Sequence, residues 1–255
     1  MPRPFLSVYK AVLFDVGGTL TYTSIGGKRY PWDPVRILRV VLGELGYHIT
    51  REEAERGDRF FQEFWEEKFQ NKPRGERWGY EVLLECERHR LGRLGLTNDL
   101  DRLSKDLVQL WEKVDVKTLF PDVKRCLKAL RDQGYRMAVI SQNLWPSEYL
   151  AERLKGLGIL GFFEFVLTSE SAGYDKPDPR LFSEGLNTLE VNPGEAVYVG
   201  NEYKKDVVGA REAGMTPILI DRERRESSRN CITIQSLTEL PATLESTSPR
   251  PAPET

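Results

Sequence analysis

Residues 12–21, VLFDVGGTLT, join a short apolar run to a glycine-rich turn, and this stretch decides the fold. The run of Val, Leu and Phe ends abruptly at Asp15, and two glycines and a threonine follow shortly after. Continuous apolar runs are typical of strands that are buried on both faces of a parallel sheet. Glycines allow a sharp turn whose N–H groups can face an anion. The stretch therefore predicts a buried strand that presents the Asp15 carboxylate at its exposed end.

Four more apolar runs share the character of residues 11–15, and helical patterns separate them. The four runs span residues 135–141, 163–169, 195–200 and 216–221. One helical pattern begins at Pro121 and ends at Gly134, a second begins at Ser147, and a third ends at Gly214. These residue types are typical of helix termini. The alternation with short links predicts an α/β fold, a doubly wound parallel sheet whose ligands bind beyond the carboxyl ends of the strands.

Residues 21–117 interrupt this alternation with Glu, Arg, Leu and aromatic residues at helical spacing. Four of the five tryptophans fall in this segment, namely Trp32, Trp65, Trp78 and Trp111. We predict an inserted all-helical module of about four helices, whose aromatic residues belong mainly to its own core. The α/β core is then discontinuous, over residues 1–20 and 118–240. Residues 241–255 are rich in Pro, Ser and Thr, which predicts a disordered tail.

The composition excludes several classes of protein. The 255 residues are 40% hydrophobic and 30% charged, and the formal net charge is −2. This balance is typical of a globular protein and offers no electrostatic basis for binding nucleic acid or an anionic membrane. The cysteines Cys86, Cys126 and Cys231 are far apart and are expected to be reduced thiols. Because no apolar stretch has the length of a signal peptide or a membrane span, we expect a cytoplasmic protein.

Polar residues follow the predicted strands at the same edge of the sheet. Asp15 and Ser141 end the first two strands, Lys176 lies in the loop after the third, and Asn201 and Asp206 follow the fourth. Each has a structural alternative, such as a turn-capping role for Asp15 or Ser141, a surface loop position for Lys176, or a helix-terminal role for Asp206. Carboxylates, a hydroxyl and an ammonium at one edge together favour a site for a phosphoryl group and a hard cation.

Four motifs in this order resemble those of the haloacid dehalogenase-like hydrolase superfamily. They are FDVGGTL at 14–20, AVISQN at 138–143, YDKPDPRLF at 174–182 and VGNEYKKD at 199–206. The helical insertion after the first motif resembles the C1 cap of one branch of that superfamily. The resemblance implies a Rossmann-like sheet with strand order 5-4-1-2-3 and an inserted all-helical cap.

The resemblance also implies roles for individual residues. Asp15 would be a nucleophile that forms an aspartyl-phosphate, with Ser141 and Lys176 as its catalytic partners. The implied phosphate contacts are Gly17, Gly18, Thr19, Ser141, Gln142 and Lys176. Mg²⁺ would be the cofactor, and its implied ligands are Asp15, the backbone carbonyl of Gly17, Asn201 and Asp206.

Two positions depart from the pattern of this superfamily. Gly17 stands where the superfamily has a general-acid aspartate, and general acid–base help is typically worth about a hundred- to ten-thousand-fold in rate. Ordinary alkyl phosphates should then be poor substrates, and acyl or other activated phosphates should suffer least. Asn201 stands where the fourth motif usually has Asp, so the metal site has less charge. Whether Glu202 compensates for that lost charge is left open.

These observations predict a Mg²⁺-dependent phosphatase that acts on a small phosphorylated metabolite, as a monomer or homodimer. One alternative is a 2-haloacid dehalogenase-like hydrolase, which would need no metal. A catalytically weak or inactive ligand-binding protein is another, because of Gly17 and Asn201. Phosphonate cleavage through a lysine adduct is a further alternative, with Lys28 as the candidate. The identity of the substrate does not follow from the sequence.

Overall fold

The structure is a computed structural model that describes residues 8–25, 28–29, 33–70, 80–114, 116–224 and 230–247. The chain divides into two compact units. The larger unit combines Met1–Thr21 with Leu119–Thr255, and the smaller one spans Tyr22–Thr118. Trp32 and Trp78, which the sequence placed in the helical module, lie outside the described residues. The side chain of Lys28 also lies outside them.

The described residues of the larger unit alternate between strands and helices, whereas four helices of the smaller unit follow one another directly. The strands are, in chain order, β1 (Ala11–Phe14), β2 (Thr21–Ile25), β3 (Lys28–Arg29), β4 (Val116–Leu119), β5 (Arg136–Ser141), β6 (Val166–Thr168), β7 (Ala196–Gly200), β8 (Thr216–Ile220) and β9 (Ile232–Ile234). The α-helices are α1 (Pro34–Glu44), α2 (Arg51–Gln70), α3 (Tyr80–Arg93), α4 (Leu100–Val114), α5 (Val123–Asp132), α6 (Ser147–Gly156), α7 (Ser169–Ala172), α8 (Pro179–Thr188), α9 (Val208–Glu212) and α10 (Leu240–Thr247). A π-helical turn, Tyr203–Val207, leads directly into α9.

The larger unit contains a six-stranded parallel sheet. Its strand order is β6-β5-β1-β7-β8-β9. The predicted α/β fold is confirmed, and the predicted order 5-4-1-2-3 corresponds to the first five of these strands taken from the β8 side. The sixth strand, β9, was not predicted, because its three residues are too few to show a pattern. It pairs with β8 in parallel, with Ile232 opposite Ile218.

The centre of the sheet is fully buried, as the continuous apolar runs predicted. Every residue of β1 and β7 is buried. Helix α8 covers one face, where Leu181, Phe182 and Leu186 join a core cluster with Leu13 of β1 and Ile140 of β5. Strands that are covered on both faces need apolar residues at every position, which explains the absence of alternation in these segments.

Helices α1 to α4 pack together in the smaller unit. Their shared core contains Ile37, Leu38, Val41 and Leu42 of α1, Ala54 of α2, Leu91 of α3, and Leu103 and Leu107 of α4. A three-stranded sheet of order β3-β2-β4 accompanies them and was not predicted, since these short strands have no apolar run. None of the helices in the described ranges is both long and apolar enough to cross a membrane.

The segment after residue 240 differs from the expectation of a disordered tail over 241–255. Leu240–Thr247 is a helix, and Leu240 and Leu244 are buried. The turn before it is stabilised by reciprocal hydrogen bonds between Ser236 and Glu239. The Pro-, Ser- and Thr-rich composition concealed a leucine spacing of four residues, which places both side chains on one face of a helix. Residues 248–255 lie outside the described part of the chain.

Candidate active site

Three neighbouring strands bring predicted site residues to one edge of the six-stranded sheet. Asp15 directly follows β1, Ser141 is the last residue of β5, and Asn201 directly follows β7. Strand β1 is paired in parallel with both β5 and β7. The N–H of Asp15 also donates to the carbonyl oxygen of Val199 at 2.9 Å. Because backbone pairing continues up to Asp15, the position of this residue is fixed by the sheet itself.

A buried lysine joins two carboxylates at this edge. The Nζ atom of Lys176 lies 2.8 Å from Oδ1 of Asp15 and 2.8 Å from Oδ1 of Asp206. The side chain of Lys176 is 2% exposed, and those of Asp15 and Asp206 are 11% and 3% exposed. Lys176 precedes α8, and its peptide bond to Pro177 is cis. The structure thus brings together three residues that are far apart in the chain and that were predicted to meet.

The Lys176 cluster, defined as Asp15, Lys176 and Asp206, has one more negative than positive group. Burial raises the pKa of Asp15 from 3.8 to about 6; the Lys176 ammonium opposes this rise, and the Asp206 carboxylate adds to it. Burial alone would lower the pKa of Lys176, but its two carboxylate partners outweigh burial and raise it. The lysine therefore stays charged, while burial and the neighbouring Asp206 carboxylate disfavour the charged form of Asp15.

Asp206 is held by its surroundings as well as by Lys176. Its Oδ2 atom accepts the N–H of Glu202 at 2.8 Å. The Tyr198 hydroxyl donates to the carbonyl of Ile140 at 2.9 Å and lies 3.4 Å from Oδ1 of Asp206. A Cβ atom on Gly200 would overlap the Asp206 carboxylate, so β7 has to end in glycine. Tyr198 was not among the predicted site residues, although a tyrosine hydroxyl within the apolar run AVYVG could have indicated it.

The loop after Asp15 closes on itself through backbone hydrogen bonds. The N–H of Gly18 donates to the carbonyl of Thr21 at 2.7 Å. The N–H of Gly18 therefore does not face an anion, in contrast to the expectation from the sequence. Gly18 has φ +79°, and a Cβ atom there would overlap the side chain of Asn201. The Thr19 hydroxyl is buried and donates to Oδ1 of Asn201 at 3.4 Å. Asn201 thus lies against this loop.

Gly17 differs from Gly18 in its backbone conformation and in the space available for a side chain. Its backbone is outside the left-handed region, and a Cβ atom built on it would meet no atom of the described residues within 4 Å. Nothing in the local geometry of the larger unit requires glycine at this position.

Ser141 and Gln142 lie at the same edge but outside the Lys176 cluster. Ser141 is buried and Gln142 is exposed. Within the described residues, neither side chain hydrogen-bonds to Asp15, Lys176 or Asp206. The Glu202 carboxylate, whose contribution the sequence left open, forms an ion pair with Lys205 at 3.1 Å. Its side chain is thus paired near the surface rather than with the buried cluster.

The donor set at this edge fits a magnesium ion. Among the described residues, no group of three or more His, Cys, Asp or Glu side chains could hold a metal by itself. Mg²⁺ usually needs only one or two carboxylates, since it retains several waters. Asp15 and Asp206 supply two carboxylates, and the Gly17 carbonyl and the Asn201 amide are further oxygen donors close to them in the chain. A divalent cation would offset the excess of one carboxylate over one ammonium in the Lys176 cluster.

The model of the haloacid dehalogenase-like hydrolase family matches residues 9–214. This chain belongs to that family. The match confirms the resemblance seen in the four motifs and shows that the protein is a hydrolase. The assignment to the C1-capped branch stays a prediction.

Relatives with known names fall within the same family. The chain is 31% identical to a glyceraldehyde 3-phosphate phosphatase from Methanothermobacter thermautotrophicus, over 87% of this chain and 89% of the relative. It is 30% identical to a ribulose-1,5-bisphosphate 5-phosphatase from Halopiger xanaduensis, over 83% and 84%. A crystal structure of a 2-haloacid dehalogenase from Pseudomonas syringae pv. Tomato superposes with a TM-score of 0.70 at 22% identity, covering 93% of this chain and 99% of that one. This last likeness shows the fold alone.

Proposed function

We propose that this hydrolase is a Mg²⁺-dependent phosphatase of small phosphorylated metabolites that works through an aspartyl-phosphate on Asp15. The observation that carries the proposal is the Lys176 cluster, in which one buried ammonium contacts Asp15 and Asp206 at 2.8 Å each. Two relatives that align over most of this chain are named as phosphatases of small phosphorylated compounds. Both observations favour phosphoryl transfer.

Asp15 takes part in both steps of the proposed reaction, the attack on phosphorus and the hydrolysis that follows. Its carboxylate oxygen attacks phosphorus, a P–O bond to Asp15 forms, and the bond from phosphorus to the leaving oxygen breaks. A water molecule then cleaves the aspartyl-phosphate, which releases inorganic phosphate and regenerates the carboxylate. The Lys176 ammonium stabilises the negative charge on the transferring group. Ser141 and Gln142, at the same edge, are the proposed partners of the phosphoryl oxygens, together with Gly17 and Thr19.

Asp15, Asp206, the Gly17 carbonyl and the Asn201 amide would hold the cation. When bound, Mg²⁺ supplies charge neutralisation that allows an anionic carboxylate and an anionic phosphate to approach each other.

The absence of a side chain at Gly17 favours substrates with good leaving groups. A general acid protonates the leaving oxygen of an alkyl phosphate, and glycine has no side chain to do so. Among the described residues of the larger unit, Lys176 is engaged by two carboxylates and the Tyr198 hydroxyl by the Ile140 carbonyl. We therefore propose a preference for acyl phosphates and other activated phosphates, whose leaving groups depart without a proton.

Release of inorganic phosphate from a panel of substrates tests the function. The panel contains acetyl phosphate, p-nitrophenyl phosphate and glyceraldehyde 3-phosphate, each assayed with Mg²⁺ and with a chelator. We expect turnover that requires Mg²⁺ and is abolished by Asp15→Asn. Glu202→Gln is the matched control, since its carboxylate pairs with Lys205, and it keeps its turnover. Absence of any Asp15-dependent phosphate release would remove the proposal, and halide release from 2-haloacids in chelator would indicate the dehalogenase alternative instead.

A further inference from the structure

An arginine outside the four motifs contacts the loop that follows Asp15. Arg222 lies two residues beyond the end of β8, and its Nη2 atom donates to the main-chain carbonyl of Thr19 at 2.8 Å. Its guanidinium also lies over the ring of Phe120, 3.7 Å from the ring centre. The side chain is 11% exposed. Arg222 thus joins the end of one strand of the sheet to the turn beside the proposed nucleophile.

Asp122 anchors this arginine from the other side. Nη1 of Arg222 donates to Oδ2 of Asp122 at 2.8 Å, and Nη2 donates to Oδ1 at 3.1 Å. The same carboxylate accepts the Ser236 hydroxyl at 2.8 Å and the N–H of Leu237 at 2.9 Å. Asp122 precedes α5 but makes no side-chain capping bond to that helix. The Asp122 carboxylate is thus held by Ser236 and Leu237 and binds both Nη atoms of Arg222, and the second hydrogen of Nη2 binds Thr19.

This arrangement fixes the loop from outside. Inside the loop, the N–H groups of Leu20 and Thr21 both donate to the carbonyl of Val16, at 2.9 Å each. These bonds keep the turn closed but do not hold it against the rest of the unit. Arg222 supplies such a connection at the Thr19 carbonyl. The Nε atom of Arg222 is buried and makes no hydrogen bond within the described residues, a cost that other contacts of the same guanidinium must outweigh.

We infer that Arg222, anchored by Asp122, is a positioning residue that holds the loop 16–21 and thereby keeps Asp15 aligned for attack. The inference rests on the proposed function, since it assigns Arg222 a part in that reaction. Misplacement of a reacting group by about 1 Å can lower the rate about a hundredfold. Loss of the arginine should therefore lower kcat more than it weakens substrate binding.

Arg136 offers a matched control within the same unit. Like Arg222, it binds one carboxylate through two nitrogens, here that of Glu164 through Nε and Nη2. Its Nη1 atom also donates to a main-chain carbonyl, that of Leu189. It is the first residue of β5 and therefore lies at the amino end of the sheet, away from Asp15. Arg136→Met removes the same kinds of contact without touching the loop.

Hydrogen exchange tests the positioning role without any need for turnover. In Arg222→Met, the amides of Gly18, Leu20 and Thr21 should exchange at least about tenfold faster than in the wild type, and in Arg136→Met they should not change. Unchanged exchange at these three amides in Arg222→Met overturns the inference. Arg222→Lys, which keeps the charge with a single donor group, should give an intermediate increase and replaces Arg222→Met if that variant does not fold.

Steady-state kinetics on acetyl phosphate, well below the unfolding temperature, tests the consequence for the reaction. We expect kcat to fall about ten- to a hundredfold in Arg222→Met, while KM stays within about threefold of the wild-type value. In Arg222→Lys kcat should recover in part, and in Arg136→Met it should not change. Equal kcat in Arg222→Met and wild type contradicts the positioning role. Absence of Asp15-dependent turnover in the wild type contradicts the proposed function instead, and the exchange measurement then decides on the loop.

Discussion

Two adjacent glycines after Asp15 have different physical reasons to be glycine. Gly18 has a positive φ and no room beside Asn201, so a side chain there would strain the backbone and displace Asn201. Gly17 has an ordinary backbone, and within the part of the chain that the structure describes there is room for a Cβ atom on it. The absence of a side chain at position 17 is therefore a chemical property of the site rather than a steric requirement.

Gly17→Asp should extend the proposed activity to alkyl phosphates. The new carboxyl group supplies a proton donor beside the leaving oxygen, so kcat/KM for alkyl esters should rise about a hundred- to ten-thousand-fold. The measurement is kcat/KM across phosphate esters of increasing leaving-group pKa, and its dependence on that pKa should become shallower. Gly17→Asn, of equal size but without a proton to give, is the control. Equal kcat/KM values for alkyl esters in Gly17→Asp and Gly17→Asn would contradict the view that the site lacks a general acid.

Lys176 is expected to matter for stability as well as for chemistry. Lys176→Met leaves the buried carboxylates of Asp15 and Asp206 without their shared cation, and loss of one partner of a buried ion pair typically costs about 3–5 kcal/mol. Denaturant unfolding should show this loss, and the double variant Lys176→Met with Asp206→Asn should recover part of it. Lys205→Met, which removes an exposed ion pair, should change the free energy of unfolding by less than about 1 kcal/mol. Additive losses in the double variant would contradict the coupling.

The carboxylate that anchors Arg222 ties together three separate elements. Asp122 lies before α5, Arg222 follows β8, and Ser236 precedes α10. Burial on its own would raise the pKa of the Asp122 carboxyl, but hydrogen bonds from Arg222 and Ser236 outweigh burial and hold the pKa below its ordinary value of 3.8. The ionised form of Asp122 is therefore the one that stabilises the folded unit.

This lowered pKa predicts how stability depends on pH. A carboxyl whose pKa is lower in the folded state contributes stability above the unfolded pKa, and the contribution is lost as the pH falls through the folded pKa. Asp122→Asn should be less stable than the wild type by about 2 kcal/mol at pH 7. The difference should stay constant down to about pH 5 and shrink below about pH 4. Denaturant unfolding at pH 7, 5, 4 and 3 checks this, and a difference that is independent of pH would contradict it.

The elements that the sequence predicted are those that carry a strong local pattern. The buried strands and the meeting of Asp15, Lys176 and Asp206 follow from apolar runs and from the convergence of parallel strand ends. The order of the strands was implied only by the resemblance of the four motifs to the superfamily. Strand β9 was missed because three isolated residues give no periodic signal. Helix α10 was missed because its Pro-rich composition concealed the leucine spacing of four residues. The bond between Arg222 and Thr19 was not predictable, since a contact across about two hundred residues leaves no trace in local sequence.

At the scale of the whole molecule, occupancy of the site should stabilise the entire larger unit. Asp15, Lys176 and Asp206 come from three separate segments, so a ligand that binds all of them opposes unfolding of the sheet. Mg²⁺ with beryllium fluoride, a mimic of the phosphoryl group, should raise the thermal midpoint of the wild type. Neither component alone should do so to the same extent, and Asp15→Asn should show no joint effect. An equal rise in the presence of a chelator would contradict a metal-dependent adduct.

The position of β1 has a consequence for the order of assembly. This strand lies in the middle of the sheet, yet it is made first, and its neighbours begin only at Arg136 and Ala196. A ribosome adds about 5–20 residues per second. Strand β1 therefore stays unpaired for roughly ten seconds or more, until both β5 and β7 have been synthesised. Helices α1 to α4 are synthesised during that interval and can pack with one another. We therefore expect the unpaired apolar strand β1 to bind a chaperone that acts on nascent chains.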